Sequence, residues 1–234
     1  MQSCSRTFGC LAALAAILYA LKPLVLREII LKPGIRANNY TSRSDVPASC
    51  ASFDELATPS GRQLDYTRYG GTWYSFASNE PTQPKGACHC DRFTWIAGAG
   101  YFTVVLDALC SLFTSAAQPI RFAMEGALNG TPGYKGSLRE GAPAVGARLI
   151  PNNVLWVSRD YSATIRYSCS PDYLGVPVFA SLQIWTRAPT TPNTRRGRAL
   201  LRRAHSLVHF SDEYVEYAWG VPGDCSKLPA AAEG

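Results

Sequence analysis

Short apolar runs of strand length, separated by turn residues, recur along the chain between residues 73 and 186. The runs are rich in β-branched and aromatic residues, which favours β-strands over helices. The predicted strands are eight in number: Trp73–Ala77, Cys90–Ile96, Tyr101–Leu106, Pro119–Leu128, Val145–Ile150, Val154–Ser158, Ala163–Tyr167 and Val178–Thr186.

The connections between these runs are short and contain Gly, Pro and Asn. They comprise Gly98-Ala99-Gly100, residues 129–133, Pro151-Asn152-Asn153 and Pro171-Asp172. Connections of this kind form hairpins rather than crossover helices. The pattern therefore predicts an all-β fold, an antiparallel up-and-down barrel of eight strands, with room inside for one small apolar ligand.

One helix is predicted after the last strand. It follows Pro192, with Asn193 or Thr194 as its cap. Apolar residues recur there at helical spacing and predict a stripe that packs on the barrel wall: Leu200, Leu201, Ala204, Leu207 and Val208. Arginines occupy most of the other positions: Arg195, Arg196, Arg198, Arg202 and Arg203. Such a charge run is usually a solvated face, although it could also bind an anionic membrane surface or nucleic acid.

The N-terminal segment has the pattern of a targeting signal. Arg6 precedes an apolar run over residues 8–21, and Lys22-Pro23 ends that run. We interpret residues 1–31 as a cleaved signal, with a retained membrane anchor as the alternative. A polar linker or transit-like segment is predicted over 32–52, the barrel with its helix over 53–228, and a tail over 229–234.

Composition and cysteine content agree with one exported domain. Because 47% of residues are hydrophobic and only 17% are charged, the chain can bury a full core. Six cysteines remain outside the targeting segment: Cys50, Cys88, Cys90, Cys110, Cys169 and Cys225. An even set behind an export signal indicates disulfides in an oxidising compartment, and spacing alone does not choose among the pairings.

Two short segments, one at the first predicted strand and one after the last, resemble the segments that begin and end the barrel sequence of lipocalins. Gly71-Thr72-Trp73 begins the first strand, and Arg187 follows the last. Asp160-Tyr161 is similar to the Thr-Asp-Tyr motif of that family, with Arg159 in place of the Thr. The resemblance implies that Arg187 lies across the Trp73 ring and closes one end of the barrel.

The cysteine pattern is similar to that of plant plastid lipocalins, and the terminal Gly223-Asp224-Cys225 to the apolipoprotein D branch. The shared features are Cys88-His89-Cys90 and the later Asp107-x-x-Cys110. This resemblance implies three disulfides, which are Cys50–Cys169, Cys88–Cys225 and Cys90–Cys110. It also implies a plastid protein of the thylakoid lumen, with secretion as the alternative.

The function implied by the resemblance is transport of a small hydrophobic ligand in the barrel. Fatty acids, oxidised lipids, sterols and carotenoids are the expected ligands, with a role in protecting membrane lipids from oxidative stress. Strand alternation offers six candidate lining residues, whose inward register the sequence leaves open: Phe93, Trp95, Phe122, Met124, Trp156 and Tyr167. We expect no cofactor, no metal, no catalytic residues, no nucleic-acid partner, possible contact with a membrane surface, and a monomer or weak oligomer.

Several other readings are weaker. His205 and His209 have the spacing of a zinc-protease helix, but Ser206 stands where that motif needs its Glu. Cys88-His89-Cys90 offers only part of a zinc site, which requires four ligands. A lipocalin-fold enzyme, such as an isomerase or a xanthophyll de-epoxidase, would need a free cysteine or an extra cysteine-rich region. A protein-binding module that uses the arginine-rich helix is the third hypothesis.

Overall fold

The structure is a computed structural model that describes residues 50–79, 88–111, 117–141, 149–170, 179–210, 215, 217–218 and 225–232. The predicted targeting signal and nearly all of the predicted linker lie outside these ranges, so both stay predictions. Among the described residues, no helix is both long enough and apolar enough to cross a membrane.

The eight strands form one closed antiparallel barrel in sequence order. The strands are β1 (Gly71–Ser78), β2 (Cys88–Ala97), β3 (Tyr101–Cys110), β4 (Gln118–Ala127), β5 (Arg139–Gly141), β6 (Ile150–Val157), β7 (Ala163–Ser170) and β8 (Phe179–Thr186). Each strand pairs with the next, and β8 pairs with β1 to close the ring. The fold class predicted from the sequence is confirmed.

The prediction of the fifth strand was wrong. Residues 145–148 lie outside the described residues, Ile150 belongs to β6, and the fifth strand is the short segment Arg139–Gly141. The predicted turn Pro151-Asn152-Asn153 is part of β6. These polar residues suggested a turn, but Asn152 is buried and its Nδ2 donates to Glu140 Oε1 at 3.1 Å. A hydrogen bond of this kind offsets the cost of burying both polar groups.

Three one-turn helices, which the sequence analysis did not predict, precede β1. They are α1 (Phe53–Leu56), α2 (Pro59–Arg62) and α3 (Tyr66–Tyr69). Each begins after a capping residue, which is Ser52, Thr58 or Asp65, whose side chain accepts from backbone N–H groups of the first turn. A helix of four residues is too short to show hydrophobic periodicity, so only the caps could have revealed it.

The predicted helix after Pro192 is present as α4, Arg195–His205. Its cap is Thr194, whose Oγ1 accepts from the Gly197 N–H at 2.9 Å. The helix packs its buried residues Leu200 and Ala204 on the outside of the barrel. It ends before Leu207 and Val208, which still pack against the same outer surface.

The C-terminal segment is fastened to the outer face of β2, β3 and β4. Asp107 is fully buried there between two arginines, with Arg92 Nη2 at 2.9 Å and Arg121 Nε at 2.7 Å from its oxygens. The same arginines donate to the carbonyls of Pro229 and Ala230. One carboxylate therefore positions two donors that hold the end of the chain.

All six cysteines of the described residues form disulfides, but two of the pairings implied by the resemblance were wrong. The bridges are Cys50–Cys169, Cys88–Cys110 and Cys90–Cys225. Cys88 lies directly opposite Cys110 on β3, which brings their Cα atoms to 4.1 Å. The strand register is then irregular between His89 and Arg92, and Cys90 has a positive φ of 60°. This bulge turns the Cys90 side chain toward the C-terminal segment, where it bonds to Cys225.

Candidate ligand-binding site

One side of the barrel interior is apolar. Trp73 pairs with Phe93, Phe93 with Leu106, and Leu106 with Phe122, so their side chains share the inner face. Trp95 and Met124 flank Val104 in the same way. We call this inner surface of β2–β4 the apolar wall: Phe93, Trp95, Val104, Leu106, Phe122 and Met124.

Stacked aromatic rings connect the apolar wall to β8. The Phe93 and Trp185 rings stack with their centroids 4.2 Å apart, and the Trp95 and Phe102 rings stack at 5.0 Å. Trp95, Phe102 and Trp185 are completely buried. Rings that pack in this way form a rigid surface of high apolar area.

Four of the six predicted lining residues lie on the inner face: Phe93, Trp95, Phe122 and Met124. Trp156 and Tyr167 lie on the outer face, so their assignment was wrong. The register of β6 shifts between Val154 and Trp156, and Trp156 packs in the outer cluster under α4. On β7 Tyr167 packs in the outer cluster with Phe53 and Leu155, and the inward positions are polar.

The interior surface of β6–β8 is polar, and we call it the polar wall: Asn152, Thr164, Arg166, Ser168 and Ser181. Thr164, Arg166 and Ser168 alternate along β7, while Asn152 and Ser181 lie opposite Ser168 on the neighbouring strands. All five are buried. The sequence shows this alternation, but it predicts the apolar residues of β7 inside, which is the wrong register.

A buried ion pair lies at the centre of the polar wall. Arg166 Nη2 donates to Glu140 Oε2 at 2.5 Å, and the two side chains are 0% and 5% exposed. The Arg166 guanidinium also lies 4.0 Å from the centroid of the Trp185 ring. The sequence analysis did not identify either charged residue. A lone charge inside a strand at an alternating position is the signal that could have done so.

Tyr69 borders this charged pair. Its hydroxyl lies 3.5 Å from Thr164 Oγ1, and its ring packs edge-on against Trp95 at 5.2 Å. Complete burial raises the pKa of Tyr69, the positive charge of Arg166 opposes that effect, and the negative charge of Glu140 adds to it. Tyr69 is therefore a neutral hydroxyl in the barrel at physiological pH.

Arg187 closes one end of the barrel. Its guanidinium lies 3.8 Å from the centroid of the Trp73 ring. It donates to four carbonyls of the chain that enters the barrel: Arg68, Tyr69, Gly70 and Thr72, at 2.7 to 3.1 Å. Partial burial lowers its pKa, and Gly71 has a φ of 90°, which favours glycine. The two motif segments thus meet in one structural contact.

Asp160 and Tyr161 form a turn beside this contact. Asp160 Oδ1 accepts from Ser158 Oγ at 2.6 Å and Ser162 Oγ at 2.8 Å, which lowers the pKa of Asp160 to about 2. Tyr161 has a positive φ of 57°, and its hydroxyl accepts from the Asp65 N–H at 2.9 Å. The Tyr161 carbonyl accepts from Arg187 Nε at 3.3 Å. These residues shape the closed end and do not line the ligand site.

Solved structures of similar shape are known. Lobster apocrustacyanin A1 aligns with a TM-score of 0.56 and 16% identity, covering 76% of this chain and 92% of its own. Apocrustacyanin C2 aligns with a TM-score of 0.56 and 17% identity, over 74% of this chain and 89% of its own. H1 crustacyanin from the lobster Homarus americanus gives a TM-score of 0.53 at 17% identity, over 76% and 91%.

The fold is that of the lipocalins. The closed barrel of eight strands, the helix after it and these neighbours agree on that point. No protein-family model matches the sequence, and no curated protein matches it either. At identities this low the neighbours establish the lipocalin fold alone.

The described part of the site contains neither a group of metal ligands nor a free thiol. Within the described ranges, no three His, Cys, Asp or Glu residues are grouped as metal ligands. Each cysteine in those ranges is in a disulfide, so none of them offers a thiolate. The remaining features are an apolar wall, a polar wall and one buried ion pair.

Proposed function

We propose that this protein binds and carries a small hydrophobic ligand inside its barrel. The observation that carries the proposal is the inner face of β4. Its inward residues Ile120, Phe122 and Met124 are only partly buried, although they face the interior. The barrel therefore retains apolar surface that a ligand can cover.

Burial of this apolar surface supplies a large part of the free energy that binding requires. Apolar surface gives about 25 cal/mol per Å² when it is removed from water. A ligand that covers about 300 Å² would gain roughly 7 kcal/mol before the loss of its translational freedom. Micromolar affinity corresponds to about 8 kcal/mol net, so shape complementarity and polar contacts must supply the difference and offset the cost of association.

We further propose that the ligand is a fatty acid, an oxidised lipid, a sterol or a carotenoid, and that the protein protects membrane lipids from oxidative stress. The support is the pattern of Cys88, Cys90 and Cys110, which is similar to that of plastid lipocalins. The pattern and the signal-like N-terminus favour the thylakoid lumen, with secretion as the alternative. The pairing of Cys90 with Cys225 differs from the one expected for that branch.

Contact with a membrane surface is a second part of this proposal. The arginines of α4 are exposed, but several also serve the fold. Arg196 donates to the Ser162 carbonyl, Arg198 to that of Asn193, and Arg203 lies 5.9 Å from the Trp156 ring. These contacts favour a solvated face that at most assists binding to anionic lipid. Cosedimentation with vesicles of anionic and of neutral lipid tests this, and equal recovery on both would contradict it.

Native mass spectrometry of the exported protein, purified without detergent, tests the main proposal. We expect a mass excess that corresponds to one apolar molecule, which solvent extraction then identifies. The protein denatured in acid serves as the control for the mass of the chain alone. An empty barrel that takes up none of the proposed ligands would contradict the carrier function, and a free thiol in the mature protein would favour the enzyme hypothesis.

A further inference from the structure

The two members of the buried ion pair, Glu140 and Arg166, differ in how many of their polar atoms have hydrogen-bond partners. Glu140 is well supplied with donors, because Oε1 accepts from Asn152 and Oε2 from Arg166. Arg166 is not supplied with acceptors to the same degree. Its Nε and Nη1 are buried and have no hydrogen-bond partner among the described residues.

Two further polar atoms of the same region are also unpaired within the described chain. They are Trp185 Nε1 and Asn152 Oδ1. Trp185 lies directly beneath the Arg166 guanidinium, and Asn152 is hydrogen-bonded to the partner of Arg166. Arg166 Nε, Arg166 Nη1 and Trp185 Nε1 are donors, whereas Asn152 Oδ1 is an acceptor that a carbonyl oxygen cannot satisfy. Buried donors without acceptors are unfavourable, so these three donors inside the barrel indicate an acceptor group of the ligand.

The cluster is continuous with the apolar wall. The Arg166 guanidinium lies 4.0 Å from the Trp185 ring, and that ring stacks on Phe93 at 4.2 Å. Phe93 pairs through Leu106 with Phe122 of β4. A single ligand can therefore cover the apolar wall and present an oxygen to Arg166.

The charge of the cluster distinguishes between kinds of oxygen. Glu140 already neutralises Arg166, so a ligand carboxylate would add a second buried anion beside Glu140. Burying an uncompensated charge is strongly unfavourable. A ketone or ester carbonyl accepts the same hydrogen bonds and leaves the cluster neutral.

We propose that the carried ligand is an apolar molecule with a neutral carbonyl oxygen, which accepts hydrogen bonds from Nε and Nη1 of Arg166. This inference rests on the proposed carrier function and narrows it. Among the proposed ligands, it predicts tighter binding of neutral oxygenated lipids than of free fatty acids.

The first test compares two ligands of equal chain length on the wild-type protein. Each displaces the neutral fluorescent probe N-phenyl-1-naphthylamine at pH 8, where dodecanoate is ionised. We expect 2-dodecanone to bind about tenfold tighter than dodecanoate, since the carboxylate carries the cost of a second buried anion beside Glu140 and about 1.4 kcal/mol of that cost accounts for such a factor.

Glu140→Gln gives the sharpest second test, because Gln keeps hydrogen-bonding groups for Arg166 and Asn152 but removes the negative charge. Dodecanoate should then bind about tenfold tighter than it binds the wild type, with 2-dodecanone little changed. The double variant Arg166→Met with Glu140→Gln avoids an unpaired carboxylate and should bind the probe normally while losing the preference for the ketone. Arg121→Met removes an arginine from the outer face and serves as the control.

The possible results separate the two proposals. If dodecanoate binds the wild type as tightly as 2-dodecanone, or Glu140→Gln leaves dodecanoate unchanged, the inference about Arg166 is overturned while the carrier function stands. If the wild type binds neither the probe nor either ligand, the carrier function itself fails, and this inference fails with it.

Discussion

Arg187→Ala tests the contact that joins the first and last strands at the closed end of the barrel. The substitution removes the guanidinium from the Trp73 ring, where it lies 3.8 Å from the centroid. It also removes the donor from four carbonyls of residues 68–72. Those carbonyls belong to the backbone that leads from α3 into β1. The closed end therefore loses the hydrogen bonds that hold this backbone to the end of β8.

The expected loss follows from these contacts. A partly buried cation–π contact contributes about 1 to 2 kcal/mol. The hydrogen bonds contribute less than their number suggests, because Arg187 is half-buried and water can replace it at the accessible carbonyls. We expect a decrease of about 1 to 3 kcal/mol in the free energy of unfolding. For a domain of this size the melting temperature would fall by roughly 3 to 10 °C.

Urea unfolding followed by tryptophan fluorescence measures the change, with Trp73 as a reporter beside the mutated residue. Arg68→Ala is the matched control, since Arg68 is exposed and its guanidinium lies 4.1 Å from the Tyr161 ring. We expect the control to lose less than about 1 kcal/mol. Equal stability of Arg187→Ala and the control would refute the structural role of this contact. Arg187→Lys should recover only part of the loss, because an ammonium cannot donate to several carbonyls in one plane.

Three further predictions concern the disulfides, the lining and the turn. Mass spectrometry of a non-reduced digest should find Cys90 linked to Cys225, and a peptide that instead links Cys225 to another cysteine would contradict the bulge in β2. Phe93→Ala should weaken binding of N-phenyl-1-naphthylamine about tenfold or more, whereas Trp156→Ala should lower stability and leave probe affinity unchanged, because only the first residue faces the interior. The pKa of Asp160 is lowered to about 2 in the fold, below its unfolded value near 4, so the ionised carboxylate stabilises the fold above that pH. This stabilisation is lost as the pH falls toward 2, and Asp160→Asn should therefore flatten the acid side of a thermal-shift pH profile. An unchanged profile would assign the acid sensitivity to other carboxylates.

The sequence was most informative where a pattern was long and its residues were local. Strands such as β3 and β8 lie within a few residues of their predicted ranges, since each is a run of apolar residues ended by turn residues. The cap of α4 was also predicted, because Thr194 and the apolar stripe after it are a local signal. By contrast, β5 has only three residues and contains Glu140, so it carries no strand pattern.

The interior was harder to predict than the fold, for a physical reason. Alternation identifies two faces of a strand but does not say which one is inside, and the outer face of this barrel is itself covered by α4 and the segment around α1. Tyr167 is buried outside against that cover, which left the inward positions of β7 to Arg166 and its polar neighbours. Because apolar residues are also buried on the outside of the barrel, the apolar face of a strand does not identify its inward face.

The closure of β1 onto β8 has a consequence for how the chain acquires its structure. Tyr74 pairs with Thr186, and the Cys50–Cys169 and Cys90–Cys225 bridges span 119 and 135 residues. Contacts between such distant residues form slowly and cannot form until the later partner has been synthesised. Before that point β1 has an open edge that can pair with another copy. The interval between synthesis of β1 and synthesis of β8 is therefore the stage at which pairing with another copy competes most strongly with closure of the barrel.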